Sequence, residues 1–389
     1  MTRSQPFVDT AALDRATAGL PTPLVAVDLD AFDANAADLT RRAAGRPIRV
    51  ASKSVRCRSL LRRVLDRPGF AGVMAYAVRE AVWLARHGFT DVFVAYPSTD
   101  VEAIRAIAAD DELRAEITLA VDSVEHVAFL TEAVGPAPGL RVALDVDCSV
   151  RLGRLHLGVR RSPLRTPDDA VAVTRAALDA GLRVAGVMFY DAQVAGLPDR
   201  GPHLRRLKKR TLTELAERRA PLVTAVRALT DLDFVNGGGT GSVGKLATAV
   251  TLTELAAGSG LYGPTLFDGY DDFSPHAAMA FALPVVRRPA DGIVTAYGGG
   301  YVASGEPGWS RVPTPVTAAL RLIRTEGTGE VQTPLRGDRA DVLRLGDRVW
   351  MRGAKAGELL ERFDEIHLVS GGRLVETVPT YRGEGRNFG

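Results

Sequence analysis

The stretch AGVMAYAVREAVWLARHGFTDVFVAY, Ala71 to Tyr96, decides the fold. It begins with a short apolar run, Ala71–Tyr76, that is too brief for a helix and rich in residues suited to a buried strand. From Val78 to Gly88 apolar residues recur every three or four positions, and a glycine stops the pattern, which predicts an amphipathic helix. A second apolar run, Val92–Tyr96, follows directly. Strand, helix and strand in that order predict two parallel neighbours joined by a crossover. Working outward, the same texture repeats at Ile48–Lys53, Ile117–Asp122, Leu140–Asp147, Arg183–Tyr190, Asp233–Asn236 and Glu254–Tyr262. Eight such units predict an α/β fold, a TIM-like (β/α)₈ barrel. The last run opens on TLTELAAGSG, which also suits a short helix.

Upstream, Leu24–Asp28 forms a further strand. Downstream of Tyr270 prolines and glycines become frequent and helical periodicity disappears. GIVTAYGGGYVAS, DRVWMRG and EIHLVSGGRLVETVP read as hairpins and turns. The expected organisation is an N-terminal segment over 1–29 packing with the β-domain, a barrel over 30–270 and an all-β domain over 271–389.

The chain has 389 residues, 46% hydrophobic and 24% charged, so a packed globular protein is expected and a disordered one excluded. No apolar run approaches the roughly 20 residues of a membrane span, and MTRSQPFVDT lacks the apolar core of a signal peptide. Cys57 and Cys148 make neither a CxxC pair nor a disulfide framework. A cytoplasmic protein is expected. The net charge of +3 gives no concentrated basic face for nucleic acid. RRLKKR, Arg205–Arg210, reads as a solvated helix face.

In a barrel, chemistry gathers at the C-terminal ends of the strands. Here those ends are Lys53, Tyr76, Tyr96, Asp122, Asp147, Tyr190, Asn236 and Ser259–Gly260. Only five of the 49 basic residues are lysines, so a lysine in an apolar strand needs its own reason. Two glycine-rich turns, GGGTGS (Gly237–Ser242) and GSGLYG (Gly258–Gly263), follow the seventh and eighth strands, where barrels place phosphate sites. GTGSVGKL nearly spells a nucleotide P-loop, but Leu246 stands where the motif needs a magnesium-binding hydroxyl. A lysine whose pKa burial would lower, together with a phosphate cradle, points to pyridoxal 5'-phosphate (PLP), held by lysine as a Schiff base. Lys53 is the candidate, with Lys245 as runner-up.

These motifs, in this order, resemble the fold-type III PLP enzymes, which include alanine racemase, D-threonine aldolase and D-serine dehydratase. TPLVAVDLDAFDANA (Thr22–Ala36) is similar to that group's first strand and helix, RVASKSVR to its lysine strand, DVDCSVRLG (Asp145–Gly153) to its R-x-G element, and NGGGTGS and GSGLYG to its phosphate loops. DRVWMRGAKAGELLERFDEI and LVETVPTYRGEGRNF resemble β-domain segments of the aldolase and dehydratase branch, and the likeness is strongest to members described as amino acid deaminase/aldolase. The resemblance implies that Lys53 carries the cofactor, that Arg151 lies near its ring edge and that Tyr190 lines the ring. It further implies that Gly238, Gly239, Thr240, Gly260 and Leu261 hold the phosphate, with Tyr262 adding a hydroxyl. Tyr76, at the end of its strand, joins the cofactor-binding set.

Two departures bear on the chemistry. Where that branch reads P-N-H-x-C this chain reads Pro379-Thr380-Tyr381-Arg382-Gly383, and Gly353 stands where relatives commonly carry histidine. No family-type metal site is therefore expected, and a divalent metal is doubtful; His367 and Glu358 are the residual donors. For racemisation a second base is needed, and TAYGGGY offers Tyr297 and Tyr301. The reading is a PLP-dependent lyase that cleaves or dehydrates a β-hydroxy amino acid of D configuration, with Tyr297 or His276 as the base that takes the hydroxyl proton. The alternatives are a racemase or epimerase using Lys53 and a β-domain tyrosine, and a non-catalytic PLP carrier. The resemblance implies a homodimer with the active site at the subunit interface and a small-molecule amino acid partner, while the charge and the apolar runs argue for neither nucleic acid nor membrane.

Overall fold

The computed structural model describes residues 8–135 and 137–389. They divide into two compact units. One comprises the described residues through 38, with 54–61 and 259–387; the other comprises 39–53, 62–258 and 388–389. The second unit holds the eight barrel strands, the last of which ends at Ala257.

After β1 (Leu24–Asp28), which belongs to the first unit, come the barrel strands β2 (Ile48–Ala51), β3 (Phe70–Ala75), β4 (Val92–Val94), β5 (Ile117–Val121) and β6 (Arg141–Asp145). A two-stranded hairpin, β7 (Val150–Leu152) and β8 (Leu155–Leu157), interrupts the series. The barrel continues with β9 (Arg183–Phe189), β10 (Phe234–Gly237) and β11 (Glu254–Ala257). All eight strands are parallel and close in the order β10-β11-β2-β3-β4-β5-β6-β9. Their near-continuous apolar runs follow from burial on both faces: every residue of β2, β5 and β11 is buried. The last run, ambiguous in sequence, is a four-residue strand followed by a 3-10 turn over Ser259–Leu261.

Local chemistry sets the helices between strands. Asp100 caps Val101–Ala108 by accepting the Ala103 N–H at 3.2 Å, and Ser123 caps Val124–Val134 through His126 N–H at 3.1 Å. Thr166 and Asp169 form a reciprocal capping box for Pro167–Asp179. Inside the barrel Phe93, Ala95, Ala120, Ala143, Met188 and Phe234 pack together. A methyl group at Gly186 would lie 2.4 Å from the Phe234 ring, so this glycine makes the room for it.

The charged run Arg205–Arg210 does lie on a helix, Pro202–Arg227, but it is not wholly a solvated face. Lys208 is 2% exposed, with Nζ 3.5 Å from Asp199 Oδ2. It shares the inner stripe with Thr211, Leu215, Arg219 and Leu222, whose three- and four-residue spacing turns it inward. Among the described residues no helix is long and apolar enough to cross a membrane.

The first unit is built on a nine-stranded sheet. Its further strands are β12 (Met279–Ala290), β13 (Ile293–Tyr297), β14 (Thr314–Pro315), β15 (Arg321–Leu322), β16 (Gln332–Arg336), β17 (Arg348–Arg352), β18 (Glu365–Ser370) and β19 (Arg373–Pro379). β1 lies inside this sheet, antiparallel to β12 (Leu24 opposite Ala282) and parallel to β18 (Ala26 opposite His367). Leu24, Ala26, Ala280, Ala282 and Trp350 form its core, and the Trp350 indole donates to Asp14 at 2.7 Å. That pairing explains why Leu24–Asp28 folds with the chain's last third.

Candidate active site

Lys53 stands just past β2, in a one-turn 3-10 helix over Ser52–Ser54, rather than within the strand as expected. The turn is pinned where Ser52 Oγ donates to the Met74 carbonyl at 3.0 Å. This places the Lys53 amine, half-buried, at the C-terminal mouth of the barrel. Its Nζ donates to the Tyr96 hydroxyl at 2.5 Å, and Tyr96 lies just beyond β4. Tyr76 follows β3, and its backbone N–H donates to the buried Glu80 carboxylate at 2.8 Å.

Tyr190 follows β9. Burial pushes its hydroxyl up to about 12, Tyr96 adds to the rise, and Arg161 opposes it. The Arg161 guanidinium carbon sits 5.6 Å from the Tyr190 ring centroid. Asp145, the last residue of β6, is raised to about 7, first by burial and then by Asp122, again against Arg161. Asp147 behaves oppositely: burial would raise it, but hydrogen bonds from Ser149 and the bond and charge of Arg165 hold it below the ordinary carboxylate range. Arg151, on β7, pairs with Asp147 at 2.9 Å.

The glycine turn after β10 lies against Tyr190. A methyl group at Gly239 would approach Ala195 Cβ at 2.9 Å and the Tyr190 ring at 3.6 Å. Gly238 has φ +84°, a left-handed conformation that glycine adopts without strain. Ser242 Oγ accepts the Gly239 N–H at 3.1 Å and donates to Asp191 Oδ1 at 3.0 Å, so Asp191 anchors the turn. The Gly238 N–H reaches the Phe189 carbonyl at 3.2 Å. Thr240 Oγ1 accepts the Gly258 N–H at 3.3 Å, tying this turn to the residue that follows β11. The N–H of Gly241 has no partner among the described residues. A cradle that a Cβ would crowd, beside the Tyr190 ring, fits the phosphate and ring of PLP.

The remaining expected residues belong to the sheet unit. The Ser259–Leu261 turn, which holds Gly260 and Leu261, is braced by Asn35, whose Nδ2 donates to the Leu261 and His276 carbonyls, each at 2.9 Å. Tyr262 is fully buried and its hydroxyl donates to the Val55 carbonyl at 2.8 Å. The His276 side chain is exposed. Tyr297 ends β13 at 47% exposure, whereas Tyr301 is half-buried against Phe281 and Phe363. His367 Nδ1 meets Thr377 Oγ1 at 3.0 Å, and Glu358 accepts from the Ser304 N–H and hydroxyl. Among the described residues no three His, Cys, Asp or Glu side chains converge as a metal site would require.

Sequence reasoning placed Tyr96 among the strand ends but not in the site, and it missed Asp145, Asp191, Ser242 and Arg161. Asp191 carried a signal, since it directly follows Tyr190. Arg161 carried none: it lies in an irregular segment after the hairpin.

The fold defines a protein with a closed parallel barrel, in which Lys53 and Tyr96 meet just past the C-terminal ends of β2 and β4. Residues 27–265, more than half of the chain, match the family described as alanine racemase, N-terminal domain, and the chain belongs to that family. It is 28% identical over 245 residues to a 3-hydroxy-D-aspartate aldolase of Paracoccus denitrificans, a match covering 62% of this chain and 60% of that protein. The chain thus spans about three fifths of the length of that relative. A D-threonine aldolase of Arthrobacter sp is 27% identical over 269 residues, 65% of each chain. Among solved structures, a D-threonine aldolase from Filomicrobium marinum superposes with a TM-score of 0.80 at 24% identity, over 94% of this chain and 96% of that one.

Proposed function

We propose that this protein is a PLP-dependent lyase that cleaves or dehydrates a β-hydroxy amino acid of D configuration. The observation that carries the reading is the Lys53 amine 2.5 Å from the Tyr96 hydroxyl, at the mouth where Tyr190 meets the glycine turn. The names of the matched relatives, aldolases of D-threonine and 3-hydroxy-D-aspartate, support the substrate class. PLP, when bound, withdraws electrons from the substrate Cα. Lys53 holds the cofactor and then moves a proton at Cα. The Tyr96 hydroxyl accepts from Lys53 Nζ and orients it. Tyr190 flanks the ring, with Tyr76 and Arg151 near it. The Gly238–Thr240 turn binds the anionic tail.

Tyr297 is the first candidate for the base that takes the β-hydroxyl proton, because its side chain is exposed, and His276 is the second. The same exposure of Tyr297 favours a racemase as the second reading, with Lys53 and Tyr297 or Tyr301 as the two bases. A homodimer and a reaction without a metal complete the proposal.

The test is the visible spectrum of the purified protein before and after borohydride, with mapping of the reduced peptide. An adduct on Lys53 is expected. A panel of β-hydroxy amino acids then separates the chemistries: aldehyde or 2-oxo acid release marks the lyase, enantiomer exchange the racemase. A colourless protein, or an adduct on another lysine, overturns the reading. Manganese stimulation that a chelator reverses overturns the metal-free reaction.

A further inference from the structure

The glycine turn after β10 is held from behind by a hydroxyl and a carboxyl, Ser242 and Asp191, both fully buried. Ser242 Oγ accepts the Gly239 N–H at 3.1 Å, and its single proton has two acceptors in reach, Asp191 Oδ1 at 3.0 Å and the Gly239 carbonyl at 3.2 Å. That carbonyl already accepts the Ser242 N–H at 2.8 Å, which leaves the proton for the carboxyl. Asp191 is fixed in turn by its backbone. Its carbonyl accepts the Val194 and Ala195 N–H groups at 2.8 and 2.9 Å, opening the helical turn Ala192–Ala195. That turn abuts the cradle, since a Cβ at Gly239 would lie 2.9 Å from Ala195 Cβ.

The second carboxyl oxygen, Asp191 Oδ2, is buried and meets no hydrogen-bond partner among the described residues. The cations that act on it come from the helix Pro202–Arg227. Arg219 stands with its guanidinium carbon 5.3 Å from the Phe189 ring centroid, and Lys208 Nζ lies 3.5 Å from Asp199 Oδ2. Neither comes within ion-pair distance of Asp191. Tyr190 and Cys148 also feel its charge, and burial pushes both of them up, so they stay neutral. A buried carboxylate with one bare oxygen and no paired cation is costly, and taking up a proton removes most of that cost. Burial accordingly raises Asp191 to about 7, against Ser242 and Arg219. The neutral carboxyl gives up nothing at the turn: Oδ1 accepts the Ser242 proton as a carbonyl oxygen, and Oδ2 carries the acid proton.

We propose that Asp191 is a positioning residue for the cofactor phosphate: as a neutral acid it holds the Gly239 turn through Ser242 and keeps negative charge from behind the cradle, and its ionisation weakens the hold on the phosphate. A carboxylate two hydrogen bonds behind Gly239, in a dry interior, repels an anion on the turn. The inference rests on the reading of Gly238–Thr240 as the phosphate turn and of Lys53 as the amine that binds the aldehyde.

Equilibrium dialysis of the full chain against PLP and against pyridoxal tests it, because pyridoxal shares the aldehyde and lacks the phosphate. In the parent the advantage of PLP over pyridoxal should shrink at least about tenfold as the pH rises past 7. In Asp191→Asn the amide oxygen still accepts from Ser242 and has no charge to gain, so the advantage should hold at its low-pH level. Asp191→Ala and Ser242→Ala drop the tie and should cut the advantage at every pH, with thermal unfolding as the folding control. A purely structural aspartate would instead weaken both ligands alike. Parallel pH courses in the parent and Asp191→Asn, or an asparagine variant as weak as the alanine one, overturns the inference, while a borohydride-fixed adduct on Lys53 leaves the reading of the site standing. PLP that leaves no adduct on Lys53 overturns that reading and the inference with it.

Discussion

Arg49 on β2 and Glu254 on β11 join the first and last barrel strands by two hydrogen bonds, Nε to Oε1 at 2.7 Å and Nη2 to Oε2 at 2.9 Å. Arg49 is 1% exposed, and its charge is further held by Asp91 at 2.9 Å, while Asn236 donates to Glu254 at 2.8 Å. The seam where the sheet closes is therefore fixed by a satisfied buried ion pair.

Removing one partner strands the other's charge. Arg49→Met should cost about 3–5 kcal/mol of unfolding free energy, whereas the double change Arg49→Met with Glu254→Leu should recover much of it. Urea denaturation of the three proteins checks this. A single variant as stable as its parent would show that the pair does not hold the seam.

Tyr96→Phe removes the acceptor of Lys53 Nζ without removing the ring. Turnover should fall by about 10²-fold, measured per bound cofactor so that lost loading is not mistaken for lost chemistry. Unchanged turnover would remove Tyr96 from the site.

Gly239→Ala tests the cradle. Its Cβ would lie 2.9 Å from Ala195 Cβ, and the neighbours would have to yield. Strain of this kind costs about 1–3 kcal/mol, so PLP should dissociate at least about tenfold more readily, read by equilibrium dialysis. Unaltered affinity would place the phosphate elsewhere.

Asp191 gives the pH dependence its sign. Burial raises its carboxyl from 3.8 to about 7, against the Ser242 hydrogen bond and the Arg219 charge. Between those values the folded chain keeps a proton that the unfolded chain releases. Stability therefore falls as pH rises from about 4 to 7 and is flat with respect to this group outside that window. Asp145, also raised to about 7, contributes with the same sign. In Asp191→Asn the urea midpoint should decline less across that window than in the parent. Parallel curves would contradict a protonated Asp191.

The eight barrel strands could be read directly, because burial on both faces leaves an apolar run that needs no knowledge of its neighbours. Lys53 was equally visible, as a rare lysine at the end of such a run. The glycine turns were visible as composition, but the partners of their N–H groups were not. The charged run at Arg205–Arg210 misled in part, since only the helix's placement against the barrel turns Lys208 inward.

Local pattern, then, determined the strand count, the order of strands and helices and the lysine, since each depends on residues a few positions apart. Folding alone decided that Tyr96 receives Lys53, that Glu254 receives Arg49 some 205 positions away, and that Arg161 comes back over Tyr190. Such pairs depend on barrel closure, and no periodicity along the chain encodes which side chains then meet.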